Sequence, residues 1–328
     1  MKKIKVLIVC IIFLIVGYFV GPKMEQYDLS LELPNVDKSG KELEEWIQQR
    51  ESKVNIKDDN EARIIWNNPN TKEATDYVLL YLHGFSASWY EGAPINMNIA
   101  NDMKANAFFA RLHDHGLVED NPLLDMKPNL LYDSAKEALM IAHQLGKKVI
   151  IMSTSTGGTL SLKLAADFPE LVDGLILYSP NIVIKQAEAR LLSKPWGLDI
   201  AKMAMGGNFR TFHDTGKIAQ YWYQKYRVEG MVYLQQLLDQ TMNKETFSKV
   251  TCPTFVGAYY KDEKHEDNTV SVKAIKEMIP LLGSEKKELI LFPNADTHVI
   301  ANGLQSHSWV RVEKMTLKFI QENILKSK

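Results

Sequence analysis

The chain lacks several features that would place it at once. It has only two cysteines in 328 residues, Cys10 and Cys252. Cys10 sits inside an N-terminal apolar run, so a disulfide framework is excluded as the basis of the fold. The net charge is −1, from 39 Lys and Arg against 40 Asp and Glu. No basic stripe interleaved with aromatics runs through it, so no nucleic-acid partner is expected. Internal repeats and low-complexity linkers are missing too. His265-Glu266 is not followed by the second histidine of an H-E-x-x-H metal motif, and the H-x-H pair His113 and His115 has no third ligand at suitable spacing. Neither a metal nor another cofactor is expected. What remains is an ordinary globular composition, 45% hydrophobic and 24% charged, with material for a large core. The length fits one large α/β domain with insertions as well as two smaller domains.

The one long apolar stretch is "MKKIKVLIVCIIFLIVGYFVGPKM", residues 1–24, with Lys2, Lys3 and Lys5 ahead of a run from Val6 to Val20. That run is marginal for a span, which takes about 20 residues. It has no polar face, as a buried core helix would, and no small-x-small cleavage site near Gly17 to Gly21. An uncleaved anchor is expected over a cleaved signal peptide, the lysines holding the N-terminus in the cytoplasm and the body facing outward. Signal cleavage would instead give a secreted or periplasmic protein. Residues 25–60 form a polar extension in which "GKELEEWIQQRES" puts Leu43, Trp46 and Ile47 on one helical face, so this piece is expected to pack on the main body.

From residue 61 to 328, short apolar runs rich in β-branched residues alternate with helical patterns. The strand candidates are "ARIIW", "DYVLLYL", "NAFFARL", "KKVIIM", "GLILY", "PTFVGAYY" and "ELILF". Between two of them, "LLYDSAKEALMIAHQLG" reads as a helix with Asp133 or Ser134 as cap and Gly146 as stop. Runs apolar on both faces and joined by helices predict a mostly parallel sheet covered on both sides, an α/β fold. Residues 181–247 break the alternation, with helical pieces and no clear strand. This is longer than a normal crossover and predicts an inserted helical cap. It serves either as extra packing on the sheet or as a lid over an apolar substrate.

In an open parallel sheet, functional groups collect beyond the carboxyl ends of the strands. Taken in order, those ends carry His83-Gly84-Phe85-Ser86 after "VLLYL", Ser153-Thr154-Ser155-Thr156-Gly157-Gly158 after "VIIM", the acidic loop "KDEKHEDNTVS" after "FVGAYY", and His298 in "PNADTHVI" after "LILF". The serine turn alone is ordinary loop material. Serine, acid and histidine in that chain order, with an HG turn upstream, are a more specific pattern.

On these residues the region from Glu61 onward resembles the α/β-hydrolase superfamily of serine hydrolases. It looks most like the carboxylesterase and monoacylglycerol-lipase-like branch, to whose D-x-G-H-G-type turn "LHDHG" is similar. The resemblance implies an α/β-hydrolase fold with a helical cap, and a nucleophile elbow in which Ser155 is the middle of a small-x-Ser-x-Gly turn. Ser153 stands where glycine is usual and is the rival nucleophile, but only Ser155 has a glycine two residues later. His298 is the expected base, since a serine hydroxyl needs one. The backbone N–H groups of Phe85 and Thr156 are the expected oxyanion donors, each worth about 2.7–4 kcal/mol in the barrier. The acid is left between two residues. Counting from Gly257 favours Asp262. Counting back from the helix entry, where "DNTVS" is similar to the family's D-x-V-V-P stretch, favours Asp267, and that count is preferred because loops after a strand gather insertions. The expectation is a membrane-tethered serine esterase or lipase-like hydrolase acting on a hydrophobic small-molecule ester. The contrasting reading is a catalytically silent protein of the same fold that binds a ligand or partner. A dehalogenase is disfavoured, because that chemistry needs a carboxylate where Ser155 stands.

Overall fold

The computed structural model describes residues 17–325, other than 19 and 23. Most of the apolar N-terminal run therefore lies outside the described residues, and among those described no helix is long and apolar enough to cross a membrane.

Seven strands form the central sheet: β1 (Arg63–Ile65), β2 (Thr75–Leu82), β3 (Asn106–Phe109), β4 (Gly146–Thr154), β5 (Gly174–Tyr178), β8 (Thr254–Ala258) and β11 (Lys287–Leu291). Their order is β1-β3-β2-β4-β5-β8-β11. All neighbours are parallel except the edge pair β1 and β3. The alternation of side chains explains why the inner strands carry continuous apolar runs. Val78, Leu80, Leu82, Val149, Ile151, Leu175 and Leu177 enter one core, while Leu79, Tyr81, Ile150, Met152, Ile176 and Tyr178 enter another on the opposite face. The inner strands are thus buried on both faces, and their successive residues stabilise different layers, while the edge strands β1 and β11 are only partly covered.

Helices α1 (Gly40–Glu51), α2 (Ile95–Asp102), α3 (Pro128–Leu145) and α4 (Thr156–Asp167) precede β5 in the chain. The α1 helix packs on the main body as expected: Leu43 and Ile47 are buried in the first core and Trp46 packs against it. The α3 helix begins earlier than Asp133 or Ser134. Pro128 opens it, its fixed φ and missing N–H suiting the first turn. It ends at Leu145, and Gly146 turns directly into extended backbone at the start of β4.

Between β5 and β8 lie α5 (Gly197–Met205), β6 (Phe209–Thr211), α6 (Gly216–Tyr221), β7 (Lys225–Arg227), α7 (Val228–Thr241) and α8 (Lys244–Lys249). The expectation of no strand here is corrected, because β6 and β7 pair antiparallel. Both strands are three residues long and carry charged side chains, so neither has the apolar alternation that marks a strand. The remaining elements are a small hairpin of β9 (Tyr260–Asp262) and β10 (His265–Glu266), followed by α9 (Val272–Met278) and the terminal α10 (Trp309–Asn323).

Candidate active site

The strand order fixes where a site can form. The chain goes from β2 outward to β3 on one side, and from β4 outward to β5, β8 and β11 on the other. The crevice between the carboxyl ends of β2 and β4 is therefore the switch point, where connections leave in opposite directions and room is left for a ligand. Leu82 pairs with Ser153, so the turn after β2 and the turn after β4 emerge side by side.

Ser155 holds φ +53° and ψ −117° at the junction of β4 and α4. This backbone is strained for a residue with a Cβ. Its N–H donates to the Tyr178 carbonyl at 3.0 Å, and its carbonyl accepts from Gly158 at 2.9 Å and Asn181 at 3.0 Å. The glycine two residues on has a steric reason. A Cβ on Gly157 would stand 2.1 Å from the Leu82 carbonyl oxygen, so no side chain fits between α4 and the end of β2. Ser153, the rival, lies within β4, fully buried, and its hydroxyl has no hydrogen-bond partner.

The HG turn is held by its own histidine. His83 Nδ1 donates to the Gly84 carbonyl at 2.9 Å, and Nε2 accepts the Leu112 N–H at 3.1 Å. That pairing requires the neutral ring, and burial pushes its pKa down to about 4. Among the described residues, the Phe85 and Thr156 N–H groups donate to no protein acceptor. They flank the switch-point crevice from the two turns.

His298 lies after β11. Its Nδ1 donates to Asp267 Oδ2 at 2.7 Å, and its buried Nε2 has no partner. Its carbonyl accepts from Ser179 Oγ at 2.7 Å, which places it beside the Tyr178 segment that holds Ser155. The structure records no hydrogen bond between Ser155 and His298. Asp267 is fully buried, and its Oδ1 accepts the N–H groups of Thr269 at 2.8 Å and Val270 at 3.1 Å. Burial works to raise this carboxyl, but the His298 charge and hydrogen bond, with the two backbone donors, hold it below the usual carboxylate range. Burial likewise works to lower His298, and the Asp267 charge and hydrogen bond, joined by the charge of Glu91, carry it above the ordinary histidine value.

Asp262 is elsewhere. It is exposed and caps its own hairpin, accepting from the N–H groups of Lys264 at 2.9 Å and His265 at 3.0 Å and pairing with the His265 ring. The two histidines of "LHDHG" are also committed locally: His115 Nδ1 bonds the His113 carbonyl at 2.8 Å, and His113 Nε2 bonds the Asp125 carbonyl at 3.1 Å. Among the described residues, no group of three or more His, Cys, Asp or Glu is placed to hold a metal.

One residue of the site has no sequence signal. Glu91, in a short 3-10 turn at Trp89–Gly92, is buried and accepts the Gly84 N–H at 2.5 Å. Nothing in the spacing of "HGFSASWYEG" marks it, because it returns to the turn through an irregular loop. One further stretch of chain, carrying Tyr223 and Tyr226, packs on the HG turn. Phe85 packs edge-on against Tyr226 with centroids 5.1 Å apart, and the Tyr223 N–H donates to Ser86 O at 2.8 Å.

Residues 131–295, half of the chain, match the family described as serine aminopeptidase, S33. No curated protein sequence matches the chain. Among solved structures, it is similar to a lipolytic enzyme from the metagenome-derived LipS and LipT work, at 15% identity and TM-score 0.64 over 81% of this chain and 99% of that one. It is also similar to a monoacylglycerol lipase of Paleococcus ferrophilus, at 11% identity and TM-score 0.57 over 79% and 97%. A third is Est1E from Butyrivibrio proteoclasticus with ferulic acid bound, at 16% identity and TM-score 0.54 over 81% and 95%. At these identities the likeness is one of fold.

Proposed function

The chain belongs to the serine aminopeptidase S33 family of α/β-hydrolases, and from that premise we propose that it hydrolyses carboxylic esters of hydrophobic character through Ser155, His298 and Asp267. The observation that carries the reading is the His298–Asp267 bond of 2.7 Å with Nε2 left unpartnered and buried, on the rim that also bears the strained Ser155 turn.

In this mechanism His298 Nε2 takes the Ser155 proton as Oγ attacks the ester carbonyl. The carbonyl oxygen becomes an oxyanion that the Phe85 and Thr156 N–H groups receive. The carbon–oxygen bond to the alcohol then breaks, the alcohol leaves with the proton from His298, and the acyl group stays bonded to Oγ. Water, deprotonated by His298, then adds to the acyl-enzyme, and the acid departs as Ser155 recovers its proton. Asp267 orients the ring and stabilises its cation throughout.

The same groups act on amides, so the fold does not choose the substrate. Support for a hydrophobic ester comes from apolar side chains at the HG turn and on the segment between β5 and β8. Phe85 and Tyr226 meet at the turn, and Trp196, Ile200 and Met203 are exposed on the segment between β5 and β8. The Trp196 indole also bonds the Gly17 carbonyl at 3.0 Å, which brings this exposed surface to the end of the N-terminal apolar run. We place the body at a membrane surface, outside the cytoplasm, on that basis and on the lysines before the run.

The test uses the full chain in detergent against p-nitrophenyl esters of graded acyl length and aminoacyl p-nitroanilides. Ester turnover that rises with acyl length and disappears in Ser155→Ala supports the reading. Anilide turnover alone would replace it with peptide chemistry, and ester turnover that survives Ser155→Ala would remove the mechanism.

A further inference from the structure

Glu91 is a fully buried carboxylate that the mechanism above does not use. It lies against the groups that do the chemistry. A Cβ added to Gly84 would stand 2.8 Å from Glu91 Oε1 and 3.0 Å from Ser155 Cβ, so the carboxylate and the serine crowd over the same glycine. Oε2 accepts the Gly84 N–H at 2.5 Å. The next peptide along carries the Phe85 N–H. Its carbonyl end, at Gly84, accepts from His83 Nδ1 at 2.9 Å and from the Ala87 N–H at 3.3 Å. Glu91 and His83 therefore grip the two peptides on either side of the Gly84 Cα, and the Phe85 N–H is left facing the crevice.

We propose that Glu91 is a positioning residue for this hydrolysis, fixing the turn that presents the Phe85 N–H and facing His298 with its charge across the site. The inference rests on the triad reading given above. Burial costs a carboxylate hydration, and a protein retains one in such a place only if its hydrogen bonds or its charge are used. The groups that face it are the Gly84 N–H, the Trp222 side chain, Tyr81 and His298. Burial raises its pKa to about 7, against the opposing pull of the Gly84 N–H, His298 and Trp222. The charge of Glu91 in turn helps to hold the His298 imidazolium. The sign follows from charge: ionised Glu91 favours the imidazolium, so removing that charge lets His298 lose its proton at lower pH.

Two variants of the full-length enzyme separate the roles. Glu91→Gln keeps the volume and an acceptor for Gly84 but removes the charge. Its plateau kcat is expected within about threefold of wild type, with the acidic limb of kcat/KM moved down by on the order of half a pH unit. Glu91→Ala removes the acceptor as well, and kcat is expected to fall about 10- to 100-fold with KM little changed, a partial loss of one oxyanion donor. An unmoved acidic limb in Glu91→Gln would overturn the electrostatic part, and the Gln variant decides it even where the Ala variant fails to fold. Wild-type kcat in a folded Glu91→Ala would overturn the positioning part. Failure of the underlying reading is told apart by Ser155→Ala, which abolishes turnover only if the triad is right.

Discussion

The turns on the rim of the sheet and the segment between β5 and β8 handle polar and apolar groups in opposite ways. On the rim, His83, Ser155, Thr156 and Asp267 are buried, and backbone N–H and C=O groups fix each turn from several sides. In the segment above, Trp196 is 42% exposed and Met203 78% exposed, and the short strands β6 and β7 pair only with each other. Rigid turns suit groups that must sit within fractions of an ångström of a reacting carbonyl. An apolar, loosely covered surface suits the selection of substrate or of a surface to work on. Chemistry and selection are thus expected to separate under mutation.

The largest effect is expected where the rim is most committed. Asp267→Asn should lower kcat by about 10⁴-fold, as loss of the orienting acid does in a triad, while Asp262→Asn should leave it within about twofold. Steady-state kinetics on variants with matched circular dichroism measures this, and the reverse ranking would move the acid to the hairpin.

Gly157→Ala comes next and tests packing instead of chemistry. Its Cβ would meet the Leu82 carbonyl at 2.1 Å, and a backbone atom in a β2–β4 pair cannot swing aside. A loss of about 3 kcal/mol or more is expected in denaturant unfolding. An unchanged midpoint would show that α4 and β2 do not approach so closely.

The pH profile gives a smaller, signed effect. His298 must be neutral to act as base, and Asp267 and Glu91 carry its pKa above the ordinary histidine value of about 6.5. Activity should therefore fall as pH drops through a midpoint above that value, and Asp267→Asn should move the residual limb lower. A wild-type midpoint below 6 would contradict the pairing.

The smallest effect concerns the exposed segment. The double variant Ile200→Ser, Met203→Ser should keep turnover of a soluble short-chain ester within about twofold, while a long-chain ester in vesicles should lose about three- to tenfold. Equal losses on both would break the separation between rim and segment.

The sheet was legible because most of its strands carry short continuous apolar runs, such as "VLLYL" in β2 and "VIIM" in β4, a signal that needs no tertiary context. Five of the residues expected at the site lie on the rim for the same reason: each follows a strand that could be recognised. The loop after β8 was harder. Counting forward from Gly257 leads to Asp262, but the residues that intervene form the β9–β10 hairpin, in which Asp262 binds its own backbone. Counting back from Ser271, the N-cap of α9, leads to Asp267, because the Asp267 Oδ1 bonds to Thr269 and Val270 set the entry to that helix. Glu91 was invisible, since an irregular turn with no period brings it back to Gly84. The β6–β7 pair was invisible because "FRT" and "KYR" carry no alternation that distinguishes a strand from a loop.

The central claim is that Ser155, on the strained turn after β4, is the nucleophile. It is tested most directly by treating the full-length protein with a fluorophosphonate and mapping the adduct by peptide mass spectrometry. The account predicts a single phosphonylated serine at Ser155, with no adduct in Ser155→Ala and labelling retained in Ser153→Ala. An adduct on Ser153, or labelling that persists in Ser155→Ala, would contradict it.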